Sequence, residues 1–256
     1  MDSSKDAHKA KIFLVCGLAG SGKTTFIAKS RDYLQGLGKR VYVVNLDPAV
    51  VNLYYPVNLD IRDNIDFSSL CKDKNIGPNG AILTSLNLFF SKIDQFMQIM
   101  ERKVLTHDYI LIDSPGQIEF LLWSASGDVL CDNLVKLQKF TKLLYVIDKS
   151  KCIGTQSSFL PSNILLYSGL YDRTRHLEHA IVFNKDDIPI ATKQNAVRNE
   201  QNGYRKELDT EILDSFGDIF SKTERHFVSS VSGDGFYFLE KSNIKKLKQM
   251  GNRVTE

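Results

Sequence analysis

Short apolar runs recur along the chain with amphipathic segments between them. Residues 12–16 ("IFLVC"), 41–46 ("VYVVNL"), 109–112 ("YILI"), 143–147 ("LLYVI"), 180–183 ("AIVF") and 227–229 are rich in β-branched and aromatic side chains. They lack strict alternation, which is the pattern of strands buried on both faces. Helical periodicity fills the intervals at residues 23–37, 63–74, 82–103, 118–137, 163–170, 204–220 and 233–250. Strand and helix alternating in this way predict an α/β fold with a doubly wound, largely parallel sheet. No Pro-rich or Ser-rich linker, internal repeat or low-complexity tract interrupts the pattern, so residues 1–256 read as one domain with its core at about 11–250 and a helical insertion around 152–178. Residues 190–203 ("IATKQNAVRNEQNG") are polar enough to be a loop.

Composition changes this picture little. With 43% hydrophobic residues and a length of 256, the chain can build one large core. A net charge of +3 is too slight an excess to argue for direct nucleic-acid or membrane binding, and the basic cluster Lys241, Lys245, Lys246, Lys248 and Arg253 reads as a solvated helix face. The four cysteines are widely spaced, with no C-x-x-C pair and no histidine at ligand spacing, so neither a zinc site nor a disulfide framework is expected. The first ten residues are polar, and no apolar run approaches the roughly 20 residues that a bilayer span requires. A cytosolic or nuclear protein is the expectation.

Directly after the first strand stands "GLAGSGKTT", residues 17–25, which fits G-x-x-x-x-G-K-[ST] with a strand before it and a helix after it. This is a phosphate cradle. Gly17, Gly20 and Gly22 let the backbone curl, so that the N–H groups through Ser21 and Thr25 and the helix N-terminus face a β-phosphate. Lys23 supplies a point charge to the β and γ oxygens, and the Thr24 hydroxyl is placed to ligate Mg²⁺.

The base is read further on. "VFNKDDI" places Asn184, Lys185 and Asp187 after a strand in the N-K-x-D pattern. A carboxylate at 187 accepts from both N1–H and the N2 amine of guanine, whereas adenine offers no such donor pair. Ser230, Val231 and Ser232 in "FVSSVSGDG" follow the last strand and can bring a backbone N–H to guanine O6. GTP and GDP are therefore the expected ligands.

The hydrolytic side is "LIDSPGQIEF". Asp113 ends a strand where a carboxylate holds Mg²⁺ directly or through water. Gly116 can offer its N–H to the γ-phosphate, and Gln117 and Glu119 lie where an attacking water is oriented. Asp47, in "NLDPAV", is delivered to the same edge of the sheet, either for catalysis or to cap the next segment. Between Asp47 and His107 only loop and helix patterns appear, with no hairpin of the kind that puts an antiparallel strand into Ras-like GTPases. The class is then the all-parallel one that includes signal-recognition GTPases and MinD-type ATPases, although the extra lysine of MinD-type loops is replaced here by Leu18, Ala19 and Gly20. Alone, "GPN" at 77–79 reads as a tight turn.

The phosphate loop, "NLDPA", "GPNG", "SLNLF", "DSPGQIE", "WSASG", "NKDD" and "SSVSGDG" occur in the order found in the GPN-loop GTPases, and the chain resembles that family from about residue 11 to 247. "SPGQIE" followed by "WSASG" resembles most the eukaryotic branch associated with assembly and nuclear import of RNA polymerase II. The resemblance implies a homodimer, or a heterodimer with a GPN-loop paralogue. It also implies that Gly77, Pro78 and Asn79 enter the partner's active site, that polymerase subunits are clients, and that the protein is cytoplasmic with passage to the nucleus. Three departures stand out: the sequence ends at Glu256 where such members usually continue into a long acidic tail, Ser114 stands where Thr is commoner, and Lys149 stands where Thr is frequent. Two other readings remain open: a scaffold that binds GTP structurally with negligible hydrolysis, and a P-loop kinase of nucleosides or polynucleotide ends.

Overall fold

The computed structural model describes residues 9–73, 76–152, 159–188, 219 and 223–241. Its strands are β1 (Lys11–Cys16), β2 (Val41–Asn45), β3 (Leu59–Asp60), β4 (Tyr109–Asp113), β5 (Thr141–Asp148), β6 (Glu178–Asn184) and β7 (Glu224–Phe227). They form one seven-stranded sheet in the order β3-β2-β4-β1-β5-β6-β7. Every pairing is parallel.

The continuous apolar runs follow from this arrangement, because helices cover both faces. Along β1, Ile12, Leu14 and Cys16 enter one core with residues of α3 (Pro78–Phe90), α4 (Ile93–Thr106), α5 (Glu119–Trp123), α6 (Ala125–Leu137) and α7 (Phe159–Arg173). Phe13 and Val15 point the other way, into a core with Phe26, Ile27 and Leu34 of α1 (Lys23–Gly36) and Phe238 and Leu239 of α8 (Phe238–Lys241). The remaining helix, α2 (Phe67–Asp73), lies between β3 and α3 in the chain.

The structure corrects the expected elements at several points. The strand expected at 227–229 is β7, which begins at Glu224 and ends at Phe227. A seventh strand, β3, lies in the interval expected to hold only loop and helix. It has two residues, too few to show a period, and Asn58 Oδ1 fixes its approach by accepting from Val43 N at 2.8 Å. It runs parallel to β2, so it is not a Ras-like hairpin strand. The helix expected over 63–74 begins at Phe67, because Asp60 accepts from Arg62 N and caps a separate 3₁₀ turn at Ile61–Asp63.

The long helix expected over 82–103 is two helices, broken at Ser91 and Lys92. The break seats Phe90 between Phe96, edge-on at 5.9 Å, and Phe120, stacked at 5.8 Å. The helix expected over 118–137 likewise divides at Ser124. Its hydroxyl donates to Phe120 O at 2.7 Å and accepts from Gly127 N at 3.0 Å, closing α5 and capping α6.

The tripeptide Gly77-Pro78-Asn79 is a helix start rather than a turn. Gly77 is the N-cap of α3, with extended backbone at φ −64° and ψ 161°, and Pro78 occupies the first turn, where its missing N–H costs nothing. Helix α7 lies within the segment expected as a helical insertion and crosses between the parallel strands β5 and β6. Residues 190–203 and the helix expected over 204–220 lie outside the described residues apart from Ile219. Of the helix expected over 233–250, only α8 is described, preceded by turns.

The Ser-Gly pair of "WSASG" is therefore a packing device, and it can be tested as one. A methyl on Gly127 would meet Phe120 O at 2.3 Å, a contact that only a backbone shift relieves. Gly127→Ala should destabilise the protein by about 2 kcal/mol, as overpacking against backbone does. Ser124→Ala should cost about 1 kcal/mol, the loss of a cap. Urea unfolding checks both, and a Gly127→Ala midpoint equal to wild type would contradict the packing argument.

Candidate functional site

The parallel sheet delivers six segments to one edge, beyond the C-terminal ends of β1, β2, β4, β5, β6 and β7. After β1 the phosphate loop curls through Gly17, Gly20 and Gly22, whose φ values are 142°, 78° and 88°. Thr24 and Thr25 open α1. Lys23 is 7% exposed and donates to Leu18 O at 3.1 Å, so its ammonium is folded back over the loop. The Ser21 hydroxyl is buried with no partner among the described residues, and it lies in the cradle a phosphate would fill.

The Mg²⁺-binding candidates meet in this structure. Asp113, 2% exposed at the end of β4, accepts from the Tyr55 hydroxyl at 2.8 Å and is hydrogen-bonded to the Thr24 side chain. Burial pushes its carboxyl up to about 6, against the opposing pull of Tyr55, Lys23 and Thr24. Burial also raises Asp47, with hydrogen bonds and Lys23 opposing, and lowers Lys23, with Asp113 opposing. One lysine thus faces two carboxylates, the buried Asp113 and the partly buried Asp47. A hydroxyl and a carboxylate beside a phosphate cradle suit a hard divalent cation, and the donor set needs phosphate oxygens to be complete. Among the described residues no cluster of three His, Cys, Asp or Glu forms a metal site by itself.

Asp47 caps the next segment, as one of its two expected roles requires, and it does so beside Lys23. Its Oδ1 accepts from Ala49 N at 2.9 Å, capping the next turn, while the residue sits in the field of Lys23. Its backbone is gripped by Asn45, whose side chain bonds Asp47 N at 3.1 Å and Asp47 O at 3.2 Å. Asn45 also donates to Asp60, which Arg62 grips in turn while donating to Val50 O at 3.0 Å. Sequence reading missed Tyr55, Asn45, Asp60 and Arg62, because their importance lies in contacts between separate segments.

Gly116 packs on Ala19 of the phosphate loop, where a methyl would approach within 3.1 Å. Gln117 follows, and its Nε2 donates to Asn79 Oδ1 at 3.3 Å. The "GPN" and "PGQ" segments of the same chain therefore meet. Gln117, Glu119 and Asn79 share a cavity of about 210 Å³ with Ile82, Leu83 and Phe120. Gly77 and Pro78 are exposed beside it at the start of α3.

The base segment is locked to the phosphate loop. Asn184 donates to Ser21 O at 3.2 Å and accepts from Ser230 N at 3.2 Å and Ser230 Oγ at 2.8 Å. It sits so near Gly22 that a side chain there would meet Asn184 Nδ2 at 2.5 Å. Lys185, at φ 65°, donates to Gly20 O at 3.1 Å and to buried Asp148 at 2.6 Å. Asp187 is exposed at the mouth. The N–H groups of Val231 and Ser232 both turn to Ser229 Oγ, at 3.3 and 3.0 Å, so a guanine O6 would compete with that hydroxyl.

A phosphate loop bound to an N-K-x-D segment at this edge defines a P-loop nucleotide-binding protein. A family model described as "Conserved hypothetical ATP binding protein" matches residues 15–240. The chain is 38% identical over 258 residues to GPN-loop GTPase 1 of Schizosaccharomyces pombe, covering 92% of this chain and 69% of that one. It is 34% identical to GPN-loop GTPase 1 of Saccharomyces cerevisiae, covering 87% of this chain and 62% of that one. The crystal structure of an apo GTPase from Pyrococcus abyssi shares the fold, with a TM-score of 0.72 over 90% of this chain and 95% of that chain at 24% identity. The chain belongs to the GPN-loop GTPase family.

The buried carboxylate gives this site a pH signature. Asp113 titrates near 6 in the fold against an ordinary 3.8, so the folded state holds the extra proton between those values. Its contribution to stability is complete below the ordinary value and is lost as pH rises through the folded one. In nucleotide-free and magnesium-free buffer, Asp113→Asn should be more stable than wild type at pH 7 by about 3 kcal/mol, and the two should converge toward pH 4. Thermal melts across pH check this. Parallel curves would remove the buried charge from the account.

Proposed function

We propose that the protein is a magnesium-dependent, dimeric GTP switch acting in assembly and nuclear import of RNA polymerase II. The observation that carries the nucleotide reading is the clamp of Lys185 and Asn184 on Gly20 and Ser21, which fixes base loop and phosphate loop as one body. Asp187 then supplies the carboxylate that guanine pairs with and adenine leaves unpaired. Thr24 and Asp113 would hold the magnesium, which would offset charge on the phosphate oxygens. Lys23 binds those oxygens, Gly116 offers an N–H to the γ-phosphate, and Gln117, Glu119 and Asp47 orient the attacking water. The polymerase role rests on the resemblance of "SPGQIE" and "WSASG" to one branch of the family.

Guanine selectivity is checked by competition titration: GTP and GDP should displace a labelled guanine nucleotide and ATP should not. Asp187→Ala should weaken guanine nucleotides by about 2–4 kcal/mol. Equal binding of ATP by the wild type would end this reading.

In the dimer, Asn79 is proposed to act on the partner's nucleotide, as a neutral dipole where other families use a cation. Lys23→Ala and Asn79→Ala homodimers should each be nearly inactive. Mixed dimers join an intact site in the Asn79→Ala chain to an intact Asn79 from the other, so activity should return on mixing. If mass measurement shows exchange and phosphate release stays at the level of the separate variants, Asn79 serves its own chain's Gln117 instead.

A further inference from the structure

Lys149, just beyond β5, carries no role in the site as described so far. It is 3% exposed, yet it is a lysine. Its ammonium is paired with the carboxylate of Asp186, and its Nζ lies 5.7 Å from the centre of the Phe227 ring on β7. Asp186 is the variable residue of "NKDD" and directly precedes Asp187. A buried lysine demands a counter-charge, and this one finds it in the base-reading loop itself.

The loop needs such a tether. Lys185 has a left-handed backbone, so the chain turns sharply out of β6, and the pairing with β5 ends at Asn184. Lys185 is tied to Asp148 and Gly20, on the phosphate-loop side. Asp186 N donates to Val228 O at 3.0 Å, on the β7 side. The Lys149 ammonium approaches from the β5 side and holds the Asp186 side chain. Without it, this largely buried carboxylate would lose the ammonium paired with it, next to the exposed carboxylate of Asp187, and like charges in adjacent residues push apart.

We propose that Lys149, through Asp186, is a positioning residue that aims Asp187 at the Watson–Crick edge of guanine and so sets guanine affinity and selectivity. The inference rests on the GTP reading above. It assigns Lys149 to the base and not to the phosphates, so its loss should be felt by the base-specific part of binding. Inosine nucleotides report on that part, because inosine lacks the N2 amine and offers Asp187 one donor in place of two.

The test is a double-mutant cycle on the full chain with Lys149→Met, Asp186→Asn and the pair together, reading GDP dissociation and the GTP-to-ITP affinity ratio. Lys149→Met should speed GDP release about tenfold and narrow the GTP-to-ITP ratio by several fold, as expected when a charged hydrogen bond is misaligned. The double variant, which removes both members of the pair together, should recover most of the wild-type ratio. A melting temperature is taken alongside, and if Lys149→Met does not fold, Asp186→Asn is read in its place with the same expectation. Equal loss of GTP and ITP binding, or an unchanged ratio with a lowered melting temperature, would make the pair purely structural and overturn the proposal. A wild type that does not prefer GTP to ATP would instead refute the nucleotide reading beneath it.

Discussion

The site depends on where one ammonium group is held. Lys185 Nζ lies between the carboxylate of Asp148, which is 1% exposed, and the carbonyl of Gly20. Asp148 is itself fixed by Ser150, whose hydroxyl donates to it at 2.5 Å and whose N–H donates at 3.1 Å. A buried carboxylate with several donors is a rigid anchor, because moving any donor away exposes a charge to a low-dielectric surround. The consequence is geometric. The ends of β5 and β6 and the middle of the phosphate loop become one piece, so base and phosphates of a single nucleotide are measured against each other. Asn184 repeats the same logic with uncharged bonds, reaching Ser21 on one side and Ser230 on the other. Lys149 extends it by one residue toward the mouth of the site.

On the other side of the phosphate loop the balance is deliberately unfavourable. Asp113, buried, and Asp47, partly buried, stand beside the single ammonium of Lys23, and loss of solvent raises both carboxyls. Such a site has an electrostatic cost when unliganded that a divalent cation and an anionic phosphate together relieve, which ties folding stability to ligation. The chain reinforces the arrangement from outside. Tyr55 holds Asp113, and the series Asn45, Asp60 and Arg62 holds the segment that carries Asp47. That series runs from Asn45 at the end of β2 through Asp60 on the two-residue strand β3, which gives so short a strand a role at the edge of the sheet.

Much of this was legible in the sequence, and the rest was hidden for physical reasons. The phosphate loop and "NKDD" are local motifs whose chemistry requires particular residues at fixed spacing, so they can be read without the fold. Parallel order was legible too, because strands covered on both faces lose their alternation. Lys149 and Asp186 are 37 residues apart, and each alone reads as an ordinary solvated charge. Tyr55 is hidden in the same way, 58 residues from Asp113. The helix breaks at Ser91 and Ser124 were concealed because apolar periodicity continues across them, whereas aromatic packing and a serine cap decide the outcome. "GPN" had the opposite difficulty: Gly, Pro and Asn suit a turn, and they suit the first turn of a helix equally well.

That last ambiguity matters for mechanism. A turn would place Asn79 on a segment whose geometry is set by its own few residues. As the second residue of the 13-residue helix α3, Asn79 is carried by a rigid rod whose apolar face is buried through Ala81, Ile82, Leu86 and Phe90. The first N–H groups of such a helix have no partners within it, and the aligned peptide dipoles make that end electropositive. A neutral tripeptide can therefore carry a fraction of positive charge to a phosphate without a lysine or arginine, and it bears no long side chain that must be ordered at each turnover. The contact of Asn79 with Gln117 shows the same end of α3 already facing the side chain proposed to orient water in its own chain. A dimer that brings a second α3 start to this place would exchange one partner of Gln117 for another, and the state of the nucleotide would then be read directly in how two helices pack.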